Sequence, residues 1–363
     1  MEPLKETYFS EQNLLEIGKD LQHVYPDLPI KKFNQAVTAS LNDLELMQRL
    51  DQLVKACGEF LPNHFPTALN ILYDYSQHLD ECRFQYVFLS QYVAYYGLNY
   101  RRHSLAALAD FTQYATSEFA VRYFLKQDLL STLKIMRRWA ESDNYHVRRL
   151  ASEGARPKLP WSFHLTELIN DPSPTLPILR TLNGDPEKYV QKSVANHLND
   201  ISKTHPDLVV NELSHWDHSD NSTRWIIERA CRSLVKTSYS PALILLGIDP
   251  EVSFSISGFK LSTKEIAIGE KLQFSFELSA TSHESQKLIV DYKIYYQKKS
   301  TEQKAKVFKL KSLTLAPGEK IHLKKSHDFS QRTTRTLYPG DHQISIVVNG
   351  SESKPIPFKL SEP

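Results

Sequence analysis

Cysteine is scarce: the 363 residues hold only Cys57, Cys82 and Cys231. Three cysteines, odd in number and far apart, exclude a Cys-x-x-Cys redox or metal motif and suit a reducing cytoplasm, which is the expected location. Long apolar runs are missing as well. No stretch approaches the roughly 20 apolar residues needed to cross a bilayer, so no membrane partner is expected. The N-terminus has no basic, apolar, small-residue succession, so no signal peptide is expected. The 14 histidines show no HExxH spacing, and neither a P-loop nor a GxGxxG string occurs, so no metal and no cofactor are expected.

What is present is enough for two globular domains. Hydrophobic residues make up 41% and aromatics 11%, which is folded rather than disordered composition. The net charge of +2 is unevenly spread. Residues 251–363 carry 18 Lys+Arg against 12 Asp+Glu, net +6, and residues 1–250 carry 26 against 30, net −4. A basic half on an acidic body invites a polyanion partner.

Through residue 249 the text reads as helix after helix. "NDLELMQRLDQLVKACGEFLP" places Leu44, Met47, Leu50 and Val54 at helical spacing, and Gly97 is a plausible stop for the helix before it. Val147-Arg148-Arg149, Val190-Gln191-Lys192 and Ile227-Glu228-Arg229 each open an amphipathic helix after an Asp-containing turn. They stand 43 and 37 residues apart, close to the roughly 40–47 residues of HEAT-type helical pairs. A HEAT-like α-solenoid with a concave surface is therefore expected over residues 1–249. From residue 250 apolar and polar residues alternate with period two in five segments, separated by turns such as Pro317-Gly318. This predicts an immunoglobulin-like β-sandwich over 250–363, without an inter-sheet disulfide.

The stretch "HVRRLASEGARPKLPW", residues 146–161, carries the most information. Val147, Leu150, Ala151 and Gly154 form one apolar stripe, while Arg149, Glu153 and Arg156 share a second face. Pro157 is expected to end the helix. With "SEFAVRYF" at 117–124 and "VANHLNDISK" at 194–203, the string resembles the signature of AlkC, a family of bacterial DNA alkylation-repair glycosylases built on HEAT-like repeats. Some members carry a C-terminal immunoglobulin-like domain, so the resemblance spans the chain. Two positions depart from the family pattern: Tyr123 where proline is usual, and Ala155 where cysteine is frequent.

The resemblance implies hydrolysis of the N-glycosidic bond of 3-methyladenine and 3-methylcytosine in double-stranded alkylated DNA, without full flipping of the base. The matching residues make Glu118, Glu153, Asp200 and Trp161 the expected catalytic set. The chemistry agrees. A cationic base is already a good leaving group, so positive charge develops on the sugar, where carboxylates stabilise it and orient water. An indole adds cation–π attraction. Glu118 is expected at a helix start, with Arg122 as a possible i+4 partner, and Asp200 on a polar helix face. Arg148, Arg149, Arg156 and Lys158 are the expected phosphate contacts. Lys298 and Lys299 begin a lysine run to Lys325, interrupted only by Glu302 and Glu319, that offers a second one. Trp139, Trp216 and Trp225 read as packing. A monomer is expected. The rival readings are a non-catalytic HEAT-repeat scaffold and a DNA-damage binder.

Overall fold

A computed structural model describes residues 3–299, 303–331 and 336–362; Glu302 lies outside them. Helices fill the chain as far as Leu245, and strands begin at Phe254. The chain divides into two compact units: Met1–Thr204 with Trp216–Ala230, and His205–His215 with Cys231–Pro363.

In the first unit, local chemistry sets where helices start. Ser10, Asp128 and Asn144 each accept a backbone N–H at a helix N-terminus, from Asn13, Ser131 and His146. Such caps typically contribute about 1 kcal/mol each. Val147 and Val190 fall in the first turns of the helices Tyr145–Glu153 and Lys188–Ser202, as expected, whereas Ile227 lies near the end of the helix Asn221–Ala230 rather than opening it. The three helices pack in succession, the first on the second and the second on the third, as stacked repeats do.

The Tyr145–Glu153 helix buries Val147, Leu150 and Ala151, as its stripe predicts. It stops at Glu153, earlier than Pro157 requires, and Arg156 returns toward it through a turn in which its N–H meets the Glu153 carbonyl at 3.2 Å. Gly154 serves close packing. A Cβ there would collide with Val121 Cγ1. Gly97 is also a packing residue. Its φ is −102°, so no left-handed stop is formed, and a Cβ would collide with Ser104 Oγ. Met47 departs from the expected stripe and is exposed, while Arg49 is buried in the same helix by hydrogen bonds to the Phe9 carbonyl (2.9 Å) and to Glu6 (2.7 Å).

The second unit contains nine strands among the described residues: β1 (Phe254–Leu261), β2 (Glu265–Ala267), β3 (Lys271–Ala280), β4 (Gln286–Gln297), β5 (Gln303–Leu315), β6 (Lys320–Asp328), β7 (Gly340–Val348), β8 (Ser351–Glu352) and β9 (Ile356–Ser361). They form a sheet β1-β3-β6 and a second sheet β2-β9-β7-β4-β5, with β8 attached to β7. Pairing is antiparallel except between β2 and β9. Phe274 and Phe276 of β3 share one core with Tyr292 and Ile294 of β4 and Ile344 and Ile346 of β7. The segment before the strands belongs to this unit: Asn349 Nδ2 donates to the Asp249 carbonyl at 2.9 Å. The lysine run falls on two sheet edges, β5 and β6, where cationic side chains also discourage edge-to-edge pairing.

Candidate active site

Glu118 sits in the turn before the Val121–Gln127 helix, not in its first helical turn. Its Oε2 accepts from Thr116 Oγ1 at 2.8 Å and pairs with Arg149, whose Nη1 also donates to Thr116 at 2.8 Å. Arg149 Nη2 stands 3.7 Å from Glu153 Oε1. Arg156 Nη1 reaches the same oxygen at 2.5 Å and directs Nε and Nη2 to Asp200 Oδ2 at 2.9 and 2.8 Å. Lys203 closes on Asp200 Oδ1 at 3.0 Å. The order is acid, base, acid, base, acid, base, drawn from three segments that helical stacking brings together.

The acids are sequestered: Glu118, Glu153 and Asp200 are 8%, 6% and 3% exposed. Asp200, expected on a polar helix face, is buried there rather than solvated. The Lys188–Ser202 helix is covered on nearly every side from Ser193 onward. Burial alone would pull the Arg149 and Arg156 guanidiniums down, but the Glu118 and Glu153 charges for one, and those of Glu153 and Asp200 for the other, hold both above the usual arginine value. The acids differ in what they leave open. Asp200 commits both oxygens, whereas Glu118 Oε1 and Glu153 Oε2 accept no hydrogen bond among the described residues.

Arg122 is not the partner of Glu118. Fully buried, it donates to the carbonyls of Gly154 (3.1 Å), Arg156 (2.6 Å) and Phe163 (2.5 Å). Burial and the neighbouring Arg156 charge push it down to about 10. It thereby fixes the loop carrying Arg156 and Trp161. Trp161 itself is 64% exposed at φ +61°, an uncommon conformation for a bulky residue. Its ring meets Phe84 edge-on, with 6.5 Å between centroids. Trp139 and Trp216 are buried, and the Trp225 ring packs under Lys188, 3.1 Å from its centroid.

Of the expected phosphate contacts, Arg149 and Arg156 direct their donors to carboxylates. Arg148 binds both oxygens of Asp185 (2.7 and 3.2 Å) and the Ser142 and Asp143 carbonyls. Lys158 is half-buried, and Lys298 and Lys299 are exposed at the end of β4. Two further residues at the site are not evident from the motifs. Tyr189 is exposed with its ring 4.9 Å from the Arg149 guanidinium. His197 is wholly buried, with Nδ1 2.9 Å from the carbonyl of Ser152, the residue before Glu153. Tyr189 immediately precedes a repeat opening, as His146 does, and that shared register is the one sequence signal for it. Among the described residues, no group of three potential ligands could hold a metal, and no helix is long and apolar enough to cross a membrane.

Comparisons with known proteins bear on this arrangement. Residues 91–234 match the model of a DNA alkylation repair enzyme family, and residues 255–362 match the C-terminal Ig-like domain of the uncharacterised protein YhaZ. Uncharacterized protein YhaZ of Bacillus subtilis (strain 168) is 38% identical over 99% of this chain and 100% of its own. The structure of Pseudomonas fluorescens alkylpurine DNA glycosylase AlkC, bound to DNA containing an abasic site analog, superposes with a TM-score of 0.95 and 39% identity, covering 99% of this chain and 100% of that one.

His197 supplies a pH test. Burial, with Arg156 nearby, pushes its imidazole down to about 3, so the folded protein keeps it neutral while the unfolded chain protonates it near 6.5. Folding stability should therefore fall as pH drops below about 6.5, with a contribution of up to about 1.4 kcal/mol per pH unit from this one proton. Chemical denaturation of wild type and His197→Gln between pH 7 and 5 should show the steeper loss in wild type. Parallel pH profiles would contradict a neutral buried imidazole.

Proposed function

The chain belongs to the AlkC family of DNA alkylation repair enzymes, and on that premise we propose that it releases 3-methyladenine and 3-methylcytosine from double-stranded DNA. A DNA glycosylase needs to break one C–N bond and add water. The observation that carries the reading is the buried acid–base ladder with two uncommitted carboxylate oxygens, Glu118 Oε1 and Glu153 Oε2.

N3-methylation makes these bases cationic, so departure requires no protonation. The C1′–N bond breaks, its electron pair goes to the base, and positive charge is left on the deoxyribose. Glu118 and Glu153 stabilise that charge, and one of them takes a proton from the attacking water. Asp200, with both oxygens engaged, fixes Arg156 and through it Glu153. Trp161 offers its exposed indole to the sugar or the cationic base, an attraction of roughly 0.5–2 kcal/mol. Unmodified bases are spared because nothing in this set protonates a neutral leaving group. Arg148, Arg149 and Arg156 are committed to carboxylates, so phosphate contact falls to Lys158 and to the lysines from 298 to 325.

Two experiments address this reading. Glu118→Gln and Glu153→Gln should each slow release of methylated bases by roughly 10²–10⁴-fold, the scale of a positioned acid–base group, with near-normal DNA affinity. Wild-type rates in both variants would return the ladder to a structural role. Changing Lys304, Lys306, Lys309 and Lys311 to Gln should weaken DNA binding and flatten its salt dependence by about 0.9 in log–log slope for each phosphate no longer neutralised. Substitution is the cleaner test than truncation, because residues before the strands pack within the same unit. An unchanged slope would leave these lysines as edge protection alone.

A further inference from the structure

A pocket of about 560 Å³ opens beside the ladder, in the same helical unit. Shared segments build both. The turn and helix around residues 116–127 give Glu118 to the ladder and Tyr123 to the pocket, and the loop clamped by Arg122 gives Arg156 to one and Trp161 and Phe163 to the other. Tyr95 and Tyr123 meet edge to face at 6.2 Å, and Tyr123 and Phe163 at 5.3 Å. The rings are held by polar contacts: the Tyr95 hydroxyl donates to Asp51 Oδ1 at 2.8 Å.

The electrostatics of this lining select an occupant. Among the described residues no lysine or arginine lines the pocket and its one charged residue is Asp51, while the Arg122 guanidinium and the Lys126 ammonium stand over the Phe163 ring at 5.5 and 5.6 Å from its centroid. Lys55 pairs with Asp51 at 2.6 Å through a largely exposed side chain, a contact that water screens. A lining of ring faces and one carboxylate gives a phosphodiester no cation to bind and gives a planar heterocycle faces to stack on. We propose that this pocket receives the excised N-methylated base. This assignment rests on the glycosylase reading above. When the C1′–N bond breaks, the base leaves neutral with the bond's electron pair. The water that attacks the sugar gives its proton to a carboxylate, which passes it on to solvent, and the freed base stays a neutral planar heterocycle whose face stacks on the exposed rings. Parking it a few residues from the ladder clears the carboxylates while the abasic strand is still bound.

The test uses the full chain and free 3-methyladenine in equilibrium dialysis, with the same compound added as an inhibitor of multiple-turnover excision. Wild type should bind saturably and be inhibited. Tyr95→Leu, which removes one exposed ring face, should weaken both by on the order of tenfold, as loss of one base–aromatic stack does. Tyr95→Phe, which keeps the ring, should retain most of the binding. Absence of saturable binding, or equal binding by Tyr95→Leu, overturns the assignment. So does a 2-aminopurine placed opposite an abasic site whose fluorescence depends on Tyr95 when the free base does not bind, since the pocket would then hold a base of the intact strand. Single-turnover release from methylated DNA is scored separately. Its failure would remove the proposed activity, whereas the dialysis reads the pocket itself.

Discussion

Three carboxylates buried within one helical unit would be untenable without the two guanidiniums threaded between them. An isolated buried carboxylate costs several kcal/mol even after relaxation, and the cost is recovered only with good geometry and further hydrogen bonds. The alternation Glu118, Arg149, Glu153, Arg156, Asp200 supplies that geometry. Asp200 holds the most cationic company, with Arg156 on one oxygen and Lys203 on the other. The carboxylate oxygens that accept no hydrogen bond among the described residues are therefore on Glu118 and Glu153.

The surrounding structure serves to hold those five residues still. Arg122 uses its donors on backbone carbonyls of the 154–163 loop, so the turn that brings Arg156 back to Glu153 is fixed from beneath. His197 ties the helix carrying Asp200 to the carbonyl before Glu153, and Arg148 joins the start of the Tyr145–Glu153 helix to Asp185. Gly154 allows the close approach of Val121 that sets the depth of the site. A positively charged side chain that braces backbone or carboxylate in a buried unit is costly to replace, which separates these residues from ordinary surface cations.

Periodicity made much of this legible. The i, i+4 spacing placed Arg149 and Glu153 on one face, the three repeat segments fell on helices that do stack, and period-two alternation found β1, β3, β4, β5 and β7. Arg156 instead joins Glu153 through a turn beyond the helix end. Whatever depended on long-range geometry was hidden. Arg122 stands four residues from Glu118 yet turns to carbonyls more than thirty residues on, because its helix begins only after Glu118. Asp200 looks solvated on its own helix and is buried by its neighbours. β6, with its "KIHLKKSHD" text, carries too much charge to show a clear strand alternation, since it is an edge strand. The family resemblance supplied the roles that spacing could not, and the geometry supplied the division between the two open carboxylates and the committed one.

In the proposed mechanism the carboxylates meet positive charge on the sugar, so the most direct measurement compares two duplexes. One carries a cationic pyrrolidine abasic analogue, and the other an isosteric neutral tetrahydrofuran. Wild type should bind the pyrrolidine duplex markedly more tightly, and the double variant Glu118→Gln/Glu153→Gln should bind both alike. Equal affinity of wild type for the two duplexes, or an undiminished preference in the double variant, would contradict the claim that these carboxylates stabilise a sugar cation.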